Sequence, residues 1–155
     1  MIGGRALRTA LLTIALGALT TLGACAPDFR PMGPAIGPAH LTDDAIITAD
    51  GARLPLHVWP ATGETRAVIL ALHGFTDYSN AFALPASAWS TVGITTYAYD
   101  QRGFGAAEPH LRWAGAETYT NDARTALSVI RRAHPDVPLY LLGESMGGAV
   151  AILAV

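Results

Sequence analysis

The chain alternates between short runs that are almost wholly apolar and longer stretches in which apolar residues recur every three or four positions. Ala67-Val68-Ile69-Leu70-Ala71-Leu72 is apolar throughout, as expected of a parallel strand covered on both faces. Ile94 to Tyr99 and Val137 to Leu142 repeat the pattern more loosely. Between them, Gly115 to Ala133 sets Tyr119, Ala123, Ala126, Leu127 and Ile130 at helical spacing on one face, leaving Arg124, Arg131 and Arg132 for solvent. Pro135 ends that helix. Asn80 to Thr91 predicts a second helix, with Pro85 in an early turn, and Met146 onward a third. Ahead of these, Thr42 to Ala49 and Leu54 to Pro60 flank Asp50-Gly51, a hairpin turn in which Gly51 accepts a positive φ. The order predicts an α/β fold, a mostly parallel sheet with an antiparallel N-terminal hairpin.

The first 25 residues do not belong to that pattern. Arg5 and Arg8 precede an uncharged, mostly apolar stretch from Leu11 to Leu22, then Gly23 and Ala24. This is the order of an export signal, and the apolar part is short for a membrane span. Leu22-Gly23-Ala24-Cys25 resembles the bacterial lipobox, which implies a cleaved, acylated Cys25 tying the protein to a lipid membrane. Ala26 after the cysteine leans toward the outer membrane, facing the periplasm. A plain secretory signal, giving a soluble secreted or periplasmic protein, and a retained anchor are the alternatives. Residues 26–41 hold four prolines and two glycines and read as a tether. Residues 42–155 form the domain.

Half the residues are apolar, 14% are charged and the formal net charge is −2. A compact fold follows, and nucleic-acid binding has no basic footprint to start from. Cys25 is the single cysteine, so no internal disulfide can form.

Chemistry gathers where strands end. His73, Asp100 and Ser145 each close a predicted parallel strand, the edge at which such sheets bind ligands. Gly143-Glu144-Ser145-Met146-Gly147 lies between a strand and a helix. There a sharp turn raises the serine hydroxyl as a nucleophile, while Gly143 and Gly147 remove side chains that would collide. The backbone N–H groups of Met146 and of Phe75, in His73-Gly74-Phe75, are the expected donors to an oxyanion. Their side chains are expected along the acyl pocket. His73 reads as a structural residue beneath that loop rather than a base. Asp100 and Arg102 read as fixing loops near the site. Ala106 to Gly115 is expected to cover the site, with Trp113 as a pocket wall and His110 beside it. Glu144 is expected to contact its own surroundings rather than substrate.

HGFTDYS at 73–79, YDQRGFG at 99–105 and LYLLGESMGGAVA at 139–151 together resemble the α/β-hydrolases of the monoacylglycerol lipase and lysophospholipase-like group, including serine aminopeptidases, over about residues 45–155. The resemblance implies a Ser–Asp–His triad with Ser145 as nucleophile, an acyl-enzyme, an apolar pocket under a cap, and no metal or organic cofactor. It implies a small acyl-ester or lipid substrate, monoacylglycerol or lysophospholipid. An aminopeptidase, an acyltransferase and a non-catalytic lipoprotein are the alternatives. In that fold the triad acid and histidine follow the nucleophile, yet no Asp, Glu or His follows Ser145 here. The expectation is therefore a fold truncated after the nucleophile elbow, inactive for want of an acid and a histidine.

Overall fold

The computed structural model describes residues 29–155. The expected leader and Cys25 lie outside the described residues. Six strands form one sheet: β1 (His40–Leu41), β2 (Ala45–Ile47), β3 (Arg53–Trp59), β4 (Ala67–Leu72), β5 (Ile94–Tyr99) and β6 (Leu139–Gly143), in the order β1-β2-β3-β5-β4-β6. β1, β2 and β3 run antiparallel, and β3 is antiparallel to β5, whereas β4 lies parallel to both β5 and β6. The hairpin turn falls where Asp50-Gly51 predicts it, with Gly51 at φ 80. Three helices follow: α1 (Ala83–Ser90), α2 (Ala116–Ala133) and α3 (Met146–Ala154). A 3-10 turn at Ser79–Phe82 takes the first residues expected in α1, and Pro85 sits in the helix's first turn, where its missing N–H costs no intrahelical bond.

Alternation along β4 divides the core. Val68, Leu70 and Leu72 pack with Tyr119, Ala123, Ala126 and Ile130 of α2 and Val150 of α3, while Ile69 and Ala71 pack with Ala98, Phe82 and Trp59 on the other face. Period-two side chains on a strand require two covered faces. β6 lies at the sheet edge, with Leu139 and Leu141 turned to the α2 side and Tyr140 and Leu142 exposed on the other.

The segment expected as a tether lies along the domain over much of its described length. Arg30 N–H donates to the Trp113 carbonyl at 2.9 Å, and Ile36 N–H to the Ala49 carbonyl at 2.7 Å. Met32 N–H reaches Thr118 Oγ1 at 3.1 Å and Gly33 N–H reaches Asp50 Oδ2 at 3.0 Å.

Candidate active site

Ser145 occupies the turn between β6 and α3 with φ 51 and ψ −115, and it is exposed. An L-residue with a side chain pays about 1–3 kcal/mol in such a conformation, so the surroundings must enforce it. Glu144 N–H donates to the Leu72 carbonyl at 3.0 Å, and Gly147 N–H to the Glu144 carbonyl at 2.8 Å. A Cβ on Gly143 would collide with the Gly147 carbonyl, and one on Gly147 with the Leu72 carbonyl. Both glycines are thus required by close backbone approach.

Gly74 closes the other side. A Cβ there would stand 3.5 Å from the Ser145 Cβ. Asp77 N–H donates back to the Gly74 carbonyl at 3.3 Å, folding residues 74–77 into a turn, with Thr76 at φ 61. Among the described residues, neither Phe75 N–H nor Met146 N–H donates a hydrogen bond. Met146 opens α3, whose first N–H groups have no intrahelical partner and whose positive end faces the turn.

His73 is fully buried behind this turn. One ring nitrogen, Nδ1, lies 2.8 Å from the Gly74 carbonyl, and the other, Nε2, accepts Gln101 N–H at 3.0 Å. These partners assign the neutral Nδ1–H tautomer. Burial pushes the imidazole below its ordinary pKa, against the pull of the Gly74 carbonyl and of Asp100, Asp77 and Glu144. Gln101 Nε2 completes the tie by donating to the His73 carbonyl at 2.8 Å.

Asp100 accepts Ser79 N–H at 2.8 Å, Ser79 Oγ–H at 2.5 Å and Ala106 N–H at 2.8 Å. Because the Ser79 proton points to Asp100, the His57 Nδ1–H, 2.7 Å from Ser79 Oγ, is the donor to that hydroxyl. His134 shares a 2.8 Å hydrogen bond with the Tyr97 hydroxyl. Arg102 donates from Nε and Nη2 to Asp122 at 2.7 and 2.9 Å, and from Nη1 and Nη2 to Asp50 at 2.7 and 2.8 Å. The Arg102 hydrogen bond holds the Asp50 carboxyl well below the usual range, burial opposing it and the Thr48 hydroxyl and Gly33 N–H assisting. Burial raises Asp122, with Arg102 opposing. Burial also works against the guanidinium, but its bonds to both carboxylates raise its pKa further above the usual value.

These groups correct the expectation that the chain is inactive because it lacks an acid and a histidine. His57, His73, His134, Asp100 and Asp122 are all present in the described fold and engaged in hydrogen bonds or ion pairs. None of those bonds ends on the Ser145 hydroxyl. Asp122 carries a signal in the sequence: it stands three residues after Tyr119 and four before Ala126, on the buried stripe of α2. Asp50 and Ser79 carried no such signal, because long-range pairing places them.

Trp113 stands 6.2 Å from Phe75, ring to ring, and 5.0 Å from Tyr119, so the structure brings it to the turn at residues 74–77. His110 is exposed, its N–H held by Glu108 at 3.0 Å, and it joins no site. Glu144 is exposed on the elbow.

A strained serine between a parallel strand and a helix, with unpaired main-chain amides on both sides, defines a nucleophile-elbow protein of the α/β-hydrolase fold. The chain matches the family "Serine aminopeptidase, S33" over residues 63–155, and it belongs to that family. It is 29% identical over 109 residues to a monoglyceride lipase of Mus musculus, covering 70% of this chain and 36% of that protein. It is 30% identical over 103 residues to a monoacylglycerol lipase of Mycolicibacterium smegmatis, covering 64% of this chain and 36% of that one. Among solved structures, a soluble variant of monoglyceride lipase from Saccharomyces cerevisiae with a substrate analog superposes with a TM-score of 0.59 at 26% identity, covering 76% of this chain and 41% of that one. The chain thus spans about a third of the length of these curated relatives. Among the described residues no helix is long and apolar enough to cross a membrane, and the expected lipid anchor at Cys25 lies outside them.

Proposed function

We propose that the chain supplies the nucleophile and oxyanion donors of an esterase acting on small acyl or lipid esters, with Ser145 as the attacking group. The observation that carries this is the conformation of Ser145, φ 51 and ψ −115, on an exposed turn whose neighbours Phe75 and Met146 keep their N–H groups undonated. Attack of the Ser145 Oγ on an ester carbonyl transfers its proton to a base and builds negative charge on the carbonyl oxygen. Two amides aimed at that oxygen stabilise it, each at about 3 kcal/mol. The relatives named as lipases act on glycerides by name, which supports an ester over an amide substrate.

Reaction with an alkyl fluorophosphonate tests the reading. Mass spectrometry should place the adduct on Ser145 and find none in Ser145→Ala. In parallel, p-nitrophenyl esters should be turned over in preference to aminoacyl nitroanilides. An unmodified Ser145, with the probe on another residue or nowhere, overturns the assignment.

A further inference from the structure

An open groove of about 840 Å³ runs between α2 and the N-terminal segment, and it shares no residue with the Ser145 turn. The segment is tied to the helix twice. Met32 N–H donates to Thr118 Oγ1 at 3.1 Å, and Arg132 Nη2 donates to the Ala39 carbonyl at 3.2 Å. Along the helix wall, Arg124, Ser128 and Arg132 follow one another at i, i+4 spacing and so stack on one face, with Asn121 and Thr125 beside them. No carboxylate lines the groove. Both guanidinium groups are held by neutral acceptors. Arg132 Nη1 donates to Ser128 Oγ at 2.8 Å, and Arg124 donates from Nε and Nη2 to the Ala154 and Leu153 carbonyls at 3.2 and 2.9 Å. These bonds fix the side chains without cancelling their charge, and neither arginine has an ion-pair partner among the described residues. A guanidinium carries more donors than these bonds use. Ser128 Oγ accepts from Arg132, which leaves the Ser128 proton without an acceptor among the described residues. The side chains of Asn121 and Thr125 make no hydrogen bond among them either.

We propose that this groove binds a small, soluble phosphate-type oxyanion, seated at Ser128 between the two arginines. An anion that accepts the Ser128 proton lies beside the Arg132 guanidinium, already fixed 2.8 Å from that oxygen. Arg124 stands one helical turn away on the other side. Hydrogen bonds from a guanidinium to a phosphate are charge-assisted and match its geometry. Asn121 and Thr125 add neutral donors. A cation would meet no negative group here, and an apolar ligand would leave these polar groups without partners. The donors lie between the helix and the segment rather than on a projecting face, which favours a small anion over a bilayer surface. Side chains already held in place also lower the ordering cost of binding. This site is independent of the reading of Ser145.

Titration of the isotope-labelled full chain with sodium phosphate, at an ionic strength held constant with sodium chloride, should move the Arg132 Nε–H resonance and the Thr125 and Ser128 amides saturably. The Arg53 and Arg66 resonances should stay in place. Arg132→Gln removes the charge while its amide can still donate to the Ala39 carbonyl, and it should weaken binding about tenfold or more. Ser128→Asp supplies an internal carboxylate one turn from each arginine, a spacing that supports the helix. It should fold normally with the phosphate shift abolished. Arg66→Gln removes an equal charge at an exposed position outside the groove and should bind as the wild type does. Absence of a saturable shift overturns the proposal, as does a shift undiminished in Ser128→Asp or lost equally in Arg66→Gln. Binding to phosphatidylglycerol vesicles without any phosphate shift overturns it too, by showing a diffuse basic surface in place of a site. Fluorophosphonate labelling, which reports on Ser145 alone, should be the same in the wild type and Ser128→Asp.

Discussion

Two turns at the carboxyl edge of the sheet treat their polar groups in opposite ways. At Ser145 the backbone is strained, the hydroxyl is exposed, and the flanking amides of Phe75 and Met146 donate to no described residue. Two strands away, Arg102 is buried with four hydrogen bonds to two buried carboxylates, tying the β2–β3 turn to α2. Unsatisfied donors are costly in a protein interior but useful where a substrate oxygen will supply the missing acceptor.

Breaking the satisfied turn should have the largest effect. Arg102→Ala leaves Asp50 and Asp122 buried without their cation, and loss of one partner of a buried pair costs about 3–5 kcal/mol. A urea midpoint shift of that size, or failure to fold, is expected. Replacing all three groups with apolar residues of similar volume should recover most of the loss. A cost under about 1 kcal/mol for Arg102→Ala would show that the pair behaves as a surface bridge and would remove the contrast.

At the elbow, Gly147→Val should destabilise by about 3 kcal/mol, because its Cβ would meet the Leu72 carbonyl and backbone has little room to give. Fluorophosphonate labelling of Ser145 should vanish at the same time. Ser145→Gly should do the reverse and stabilise the chain by about 1 kcal/mol, since glycine takes the positive φ without the strain and no side-chain bond is lost. Thermal melts of Ser145→Gly beside Ser145→Ala separate the two causes, as alanine retains the strain. Equal melting temperatures would mean that the turn stores none.

Much of this contrast was readable along the chain, and the division has a physical basis. Elbow and strands are local: Gly143, Ser145 and Gly147 announce themselves by spacing, and β4 by six consecutive apolar residues. Trp113 lies 6.2 Å from Phe75, ring to ring, because the loop that carries it follows Asp100 at the same edge of the sheet. The partners of Arg102 come from residues 52 and 20 positions away, and local pattern does not encode such pairings. The N-terminal segment is undetermined by local pattern for a similar reason. Prolines and glycines exclude helix and central strand, but they do not exclude a chain laid along a domain by single backbone hydrogen bonds.

The smallest effect separates the two turns by the pH at which each fails. His73 is neutral and buried, and its folded pKa lies below 6.5, chiefly through burial. In that case the unfolded chain binds the proton more readily, so the stability from His73 is full above about 6.5 and declines as pH falls toward the folded value. Protonation would occur at Nε2, the atom that accepts Gln101 N–H, so the bond tying the oxyanion turn to Gln101 would break with it. Asp50 runs the other way: its folded pKa is depressed by Arg102, and its contribution holds until pH falls below about 3.8, while Asp122, raised by burial, partly offsets that loss. Urea midpoints measured from pH 7.5 to 5 should therefore slope gently in the wild type. The slope should flatten in His73→Gln, whose amide can still bond both partners, and should persist in Asp50→Asn, which alters only the limb below about pH 4. An unchanged slope in His73→Gln would place the neutral-range proton uptake elsewhere and leave the oxyanion turn without a titrating pin.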